Sequence, residues 1–227
     1  RKNSRRLGAS NSSLATPAPV RGAGSVRIVS GRWKRSVVTV ACAEGLRPTS
    51  ERVRETVFDW LTHLFGTFEG RDVLDMFAGS GAMGLEAASR GADHVDWLDI
   101  HRPGIAGIRQ VLVRLGADEH KKACVADAFR FLQDVPRCYD VIFIDPPFGL
   151  DMQVKAARAA LNALKNEGLL YVESPEELLS DEALESLGVV RVRSGSAGAV
   201  RFELLAKAGS VMAGLARPSK KEKRSRK

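Results

Sequence analysis

Cysteine, histidine and long hydrophobic runs are all scarce in this chain. Three cysteines in 227 residues, Cys42, Cys124 and Cys138, are odd in number and lack C-x-x-C spacing. They exclude a disulfide framework and a zinc ribbon, and they suit a reducing compartment. The four histidines are dispersed; His63 and His94 read as surface or packing residues, and no metal site is expected. No run of eighteen apolar residues occurs, so a soluble chain without a helical membrane anchor is expected. Tyrosine is confined to Tyr139 and Tyr171, which leaves no evident Tyr/Lys proton relay for a nicotinamide-linked oxidoreductase.

Acidic residues are missing from the ends. Residues 1–43 hold nine Lys/Arg and no Asp/Glu, and residues 217–227 hold seven Lys/Arg against Glu222 alone. With those ends set aside, the net charge of +8 becomes −7 for residues 44–216. Basic arms on an acidic body suit docking to a polyanion, because lysines and arginines that displace phosphate counterions supply sequence-independent affinity. Residues 1–25 are rich in Arg, Ser and Ala, a composition that resembles an organelle transit peptide. A plastid is the favoured compartment, with a mitochondrion or a bacterial cytoplasm as alternatives.

What is present is an ordered alternation. Val26–Ser30 and Ser36–Val40 read as a hairpin with a basic aromatic tip, Arg32-Trp33-Lys34-Arg35, a composition that can stack on and neutralise nucleic acid or simply pack on the body. Thr49/Ser50 cap a helix with an apolar stripe at Val53, Val57, Trp60, Leu61 and Leu64, and Arg52 and Arg54 are expected off that stripe, free to face solvent, ligand or RNA. From Asp72 onward, short apolar runs alternate with helical stretches: 73–77, 83–90, 95–99, 104–115, 122–126, 128–133, 141–144, 154–164 and 169–173, followed by a helix over 176–187 and strands over 189–193 and 200–205. This pattern predicts an α/β fold with a doubly wound, mostly parallel sheet. The expected organisation is a leader (1–25), a hairpin and helix appendage (26–68), a catalytic domain (69–208) and a basic tail (209–227), with a monomer as the default state.

The first long strand runs into Asp75-Met76-Phe77-Ala78-Gly79-Ser80-Gly81-Ala82-Met83-Gly84. Glycines in such a turn let backbone approach a ligand. With Asp99 at the end of the next strand, placed for ribose hydroxyls, the pattern fits NAD and S-adenosylmethionine almost equally. Asp127-Ala128 follows the third run; Asp127 can accept from an adenine amino group, cap a helix, or do both.

Asp145-Pro146-Pro147-Phe148 directly follows the apolar run 141–144. Two prolines remove two donors and stiffen the chain, which holds a carboxylate, a backbone carbonyl and an aromatic ring in the crevice where α/β ligands bind. Methylation of an amino group on a planar base needs such a set. Asp145 and the Pro146 carbonyl each accept one N–H, which frees the nitrogen lone pair to attack a methyl group, while Phe148 stacks on the base. Positioning and electrostatics supply the acceleration.

On three blocks, Arg47 to Phe58, Asp75 to Ala87, and Asp145 to Phe148 with Tyr171-Val172-Glu173-Ser174, the chain resembles the RsmD family of 16S ribosomal RNA guanine methyltransferases over roughly residues 26–206. The resemblance implies a Rossmann-like, class I S-adenosylmethionine-dependent fold. It also implies action on the 2-amino group of one guanine, number 966 in the bacterial small-subunit RNA; the cost of unstacking that base makes a partly assembled particle the expected substrate. Carried onto this chain, it places the loop Gly79, Ser80 and Gly81 around the methionine moiety, Asp99 on ribose, Asp127 near adenine, Asp145 to Phe148 at the target, and Arg47 and Thr49 closing over cofactor or base, with Asp75, Phe77, Ala78 and Ala128 also expected at the cofactor. Where the family usually has Glu followed two residues later by an acid, this chain has Asp99 and His101, so the ribose contact is shorter. An adenine amino-methyltransferase and a catalytically idle RNA-binding assembly factor are the competing readings.

Overall fold

The computed structural model describes residues 23–41, 49–134, 137–147 and 150–216. Strands β1 (Ala23–Arg27) and β2 (Val37–Ala41) form an antiparallel hairpin. Helix α1 (Glu51–Phe65) follows, capped by Ser50, whose Oγ accepts the Val53 N–H at 3.3 Å. Strand and helix then alternate: β3 (Asp72–Asp75), α2 (Ala82–Ser89), β4 (His94–Asp99), α3 (Arg102–Arg114), β5 (Lys121–Val125), α4 (Ala128–Phe131), β6 (Tyr139–Ile144), α5 (Leu150–Leu161) and β7 (Leu164–Ser174). The chain closes with α6 (Asp181–Leu187), β8 (Val189–Ala197), β9 (Val200–Lys207) and α7 (Val211–Gly214).

Seven strands form one sheet in the order β5-β4-β3-β6-β7-β9-β8. The first five are parallel, and β9 runs antiparallel between β7 and β8. The order reverses between β3 and β6, so the crevice at their carboxyl ends is the natural ligand site. Side chains alternate across the sheet as the pleat demands. Val73, Val95, Trp97, Phe143 and Tyr171 pack with α1, α2 and α3, whereas Leu74, Leu98, Ile142, Ile144 and Leu170 pack with the opposite helices. All six residues of β6 are buried, consistent with its uninterrupted apolar run. Ala156, Ala157 and Ala160 let α5 approach this face closely.

Three sequence expectations change here. First, Arg54 does not face solvent: it is buried, with Nη1 donating to the Thr49 carbonyl at 2.8 Å and Nη2 to the Arg27 carbonyl at 2.6 Å. It ties the hairpin to the start of α1, because the hairpin's backbone brings acceptors that apolar periodicity cannot register. Second, Trp33 packs into the core at 7% exposure, so its ring is not offered for stacking on RNA. The tip is anchored on the last turn of α2: Trp33 N–H donates to Ser89 Oγ at 2.9 Å, and Val29 and Ser30 N–H donate to the buried Glu86 carboxylate at 2.9 and 3.0 Å. Gly31 lies so close to α2 that a Cβ there would sit 1.9 Å from the Ser89 carbonyl oxygen. Third, residues read as the beginning of a tail form α7, with Ser210 buried and the Leu215 carbonyl accepting from Arg193 at 2.7 Å.

Shorter shifts follow from local chemistry. The helix expected from 176 begins at Asp181, where Ser180 supplies the capping oxygen for the Ala183 N–H. Strand β7 begins five residues before the apolar run at 169, its first residue Leu164 pairing with Tyr139.

Candidate active site

A cavity of about 950 Å³ opens at the carboxyl ends of β3, β4, β6 and β7. Its floor is the turn from β3 into α2. Gly79 and Gly81 have φ of +50° and +74°, and Gly81 is the N-cap of α2, conformations that a side chain at either position would strain. Three contacts lock the turn. Gly79 N–H donates to Asp99 Oδ2 at 2.8 Å, Gly84 N–H donates to Asp75 Oδ2 at 3.0 Å, and the fully buried Trp97 Nε1 donates to the Gly81 carbonyl at 3.1 Å. A Cβ on Gly84 would sit 2.1 Å from Trp97 Nε1. The third glycine is therefore required for helix-to-strand packing and not for ligand contact.

The polar wall is acidic. Asp75, Asp99, Asp127, Asp145 and Glu173 line the cavity, and no Lys or Arg does so among the described residues. Asp75 is buried, and its pKa is pushed up to about 7, chiefly by burial and further by Asp99, against the lowering effect of the Gly84 N–H. Asp145 opens onto the cavity yet is enclosed by its walls; burial, Glu173 and Asp75 hold its carboxyl well above the usual range. Because water in the open cavity still reaches Asp145, the shift takes full effect only once a ligand displaces that water. Glu173 is also raised by burial, opposed by the Tyr171 and Thr49 hydroxyls.

This electrostatic character separates the two cofactors that the glycine loop left open. A dinucleotide would bring a pyrophosphate to walls that hold five carboxyl groups and no basic side chain among the described residues. A nucleoside carrying a sulfonium and an ammonium meets charges of the opposite sign, and Asp75 keeps one carboxylate oxygen without a donor among the described residues. The residues present therefore fit S-adenosylmethionine. Phe77 and Phe129, 6.1 Å apart edge to face, together with Ala126, Ala128 and the 75% exposed Ile100, make one side of the cavity wall apolar.

Of the residues singled out from the sequence, Asp75, Phe77, Ala78, Gly79, Ser80, Asp99, Asp127, Ala128, Asp145, Pro146, Pro147 and Thr49 all line this cavity. Asp99 serves both the fold and the cavity. Its oxygens accept from Gly79 and His101 N–H, both at 2.8 Å, while a second lone pair on each stays available. His101 caps α3, with Nδ1 accepting from Gly104 N–H at 3.2 Å. Asp127 is the N-cap of α4 and accepts the Arg130 N–H at 2.9 Å, so the cap reading holds alongside cavity lining.

The tip residues Arg32, Trp33, Lys34 and Arg35 are absent from the cavity wall; Arg32, Lys34 and Arg35 are exposed near the far end of α2 from the glycine turn. Arg52 is exposed on α1 and also does not line the cavity. Arg47 and Phe148 lie outside the described residues. Glu173, Gln153, Met152, Ile100 and Phe129, none of them a site residue predicted from the sequence, also line the cavity. For Glu173 a signal existed, since Tyr171 and Glu173 alternate onto one face of a strand.

A family model described as Conserved hypothetical protein 95 matches residues 26–205. The ribosomal RNA small subunit methyltransferase D of Escherichia coli is 36% identical over 158 residues, which are 69% of this chain and 78% of the relative. Its Haemophilus influenzae counterpart is 35% identical over 160 residues, 68% of this chain and 81% of the relative. The solved structure of Escherichia coli yhhF aligns with a TM-score of 0.71 at 32% identity, covering 82% of this chain and 100% of the other.

Proposed function

This chain belongs to the ribosomal RNA small subunit methyltransferase D family, and from that membership we propose that it methylates the 2-amino nitrogen of a guanine. It is an S-adenosylmethionine-dependent methyltransferase of small-subunit ribosomal RNA. The observation that carries amino methylation is the Asp145 carboxylate, which opens onto the cavity and receives no donor among the described residues; family membership supports guanine as the base.

S-adenosylmethionine, when bound, supplies an electrophilic methyl group on a sulfonium. Everything else falls to the chain. Asp145 and the Pro146 carbonyl accept the two N–H bonds of the target amino group and so take its lone pair out of conjugation with the ring. The freed lone pair would take the methyl group that the cofactor supplies, with a thioether as leaving group, and Asp145 would receive the proton that the nitrogen sheds. The carboxyl groups around the site stabilise positive charge at the reacting centre, and the apolar walls keep that interaction strong. Pro146 and Pro147 hold the acceptors at the end of β6 without competing donors.

The guanine leaves its stack to reach this cavity, at a cost of a few kcal/mol. That cost favours a loop in a partly assembled small-subunit particle as substrate, approached by a monomer. The acid-free, Arg- and Ser-rich stretch 1–25 supports an organelle with bacterial-type ribosomes, a plastid first, and fractionation of tagged protein tests this.

The deciding experiment is transfer from labelled S-adenosylmethionine to undermodified small-subunit particles, with nucleoside analysis. Label in 2-methylamino guanine, reduced at least about 100-fold by Asp145→Ala while cofactor binding persists, is the expected result. Label in adenine would overturn the guanine reading, and cofactor binding without transfer to any RNA would overturn the enzymatic one.

A further inference from the structure

We propose that Glu173 selects guanine over other purines, its carboxylate accepting the ring N1–H beside the 2-amino group held at Asp145. This rests on the guanine reading above and names the residue that reads the base.

The register of the sheet brings the two carboxylates together. Phe143 pairs with Tyr171 and Ile144 with Val172 across β6 and β7. The Phe143 and Tyr171 rings lie on one face, 5.8 Å between centroids. Asp145 lies one residue past the end of β6 and Glu173 one residue past Val172 on β7; strands pair about 4.8 Å apart, both residues line the cavity, and the Glu173 carboxyl is close enough to raise that of Asp145.

Glu173 is held as an acceptor. Its Oε2 receives the Tyr171 hydroxyl at 2.7 Å and the Thr49 hydroxyl at 3.4 Å. Thr49 is fixed in turn by the buried Arg54, which grips its carbonyl at 2.8 Å, and the Glu173 carbonyl takes the Gln153 amide at 3.0 Å. The two hydroxyls fix that oxygen in place and oppose the burial that raises the carboxyl's pKa. The other oxygen, Oε1, has no donor among the described residues, and no basic side chain among them lines the cavity there. A half-buried carboxylate with an open oxygen and no counter-charge is costly unless a ligand donates to it.

Guanine carries two adjacent donors on its Watson–Crick edge, N1–H and the 2-amino group, which match two adjacent carboxylates. In adenine, N1 is an acceptor, and its lone pair would face the lone pairs of Glu173. The same repulsion meets 2-aminopurine, which keeps the 2-amino group but has no N1–H. Sites that hydrogen-bond a buried group reject analogues lacking it far more strongly than apolar pockets reject a methylene.

The test uses the full chain and small-subunit particles carrying guanine or 2-aminopurine at the methylated position. Wild type is expected to prefer guanine by at least about 100-fold in kcat/KM. Glu173→Gln, whose amide can turn its NH2 toward N1 of 2-aminopurine, is expected to narrow that preference at least about tenfold, with the cofactor Kd near wild type. Loss of the 6-oxo contact is common to both enzymes, so the change in ratio isolates N1. Equal turnover of both bases by wild type would overturn the proposal without recourse to any variant. An equal fall on both bases in a folded, cofactor-binding Glu173→Gln would overturn it too and leave Glu173 a structural brace. Absence of guanine methylation by wild type would instead remove the underlying reading.

Discussion

Replacing Asp75 by Asn should stabilise the cofactor-free protein at neutral and alkaline pH while weakening cofactor binding. Asp75 is 4% exposed, and its pKa is moved from 3.8 to about 7, mainly by burial. A raised carboxyl pKa means that the folded state holds the proton more tightly than the unfolded one, so folding loses stability as pH rises between the two values. At about 1.4 kcal/mol per pH step, the penalty is about 1.5 kcal/mol at pH 5 and approaches about 4 kcal/mol at pH 8. Asn keeps an oxygen for the Gly84 N–H, now 3.0 Å from Asp75 Oδ2, and carries no charge to desolvate. Urea unfolding of both proteins without cofactor, at pH 5 and pH 8, gives the difference directly. Asn should gain about 2–3 kcal/mol on wild type over that interval, the pH effects of Asp145 and Glu173 cancelling to first order. Titration calorimetry should show the opposite ranking for S-adenosylmethionine, whose ammonium compensates the buried carboxylate. A stability difference that stays flat from pH 5 to pH 8 would refute the reasoning, since it would mean that Asp75 is already compensated in the free protein.

Three further outcomes follow from packing. Gly84→Ala drives a methyl against Trp97, where a Cβ would lie 2.1 Å from Nε1; overpacking and loss of the Trp97–Gly81 bond outweigh better helix propensity, for a net loss of about 3 kcal/mol in chemical denaturation. Gly214→Ala, with nothing within 4 Å, should be neutral or slightly stabilising, and matching values for the two would discredit the clash. Arg54→Met strands the carbonyls of Arg27 and Thr49 and should cost about 2–4 kcal/mol, with faster proteolysis within the hairpin as the local readout. Trp33 Nε1 is buried without a partner among the described residues, so Trp33→Phe should cost no more than about 1 kcal/mol and Trp33→Ala about 3 kcal/mol. Neither should alter RNA affinity in the folded protein beyond its effect on stability, as filter binding would show.

Much of the site was legible because its chemistry is local. The glycine turn, Asp99 two residues before the His101 cap, and Asp145 between an apolar strand and two prolines each announce a backbone geometry within a few residues of sequence. The residues that escaped are those whose roles depend on remote partners. Arg54 was placed off the apolar stripe of its helix, yet it is buried because Arg27 and Thr49 turn their carbonyls toward it. Glu86 could not be distinguished from a surface acid, although two hairpin N–H groups and Arg90 converge on it inside the protein. For Trp33 the sequence allows stacking or packing alike, and Ser89, remote in the chain, decides for packing.

Local sequence alone accounts for the strands of the sheet, their alternation with helices and the two loops that border the cavity, because pleat, helix period and proline or glycine constraints act over a handful of bonds. The acidic character of the cavity, and the meeting of Asp145 with Glu173 at its wall, emerge only when the chain is folded. Those properties arise from carboxylates separated by tens of residues, Asp75, Asp99, Asp145 and Glu173, brought to the wall of one cavity. Their mutual fields depend on distance in space, which no spacing along the chain encodes.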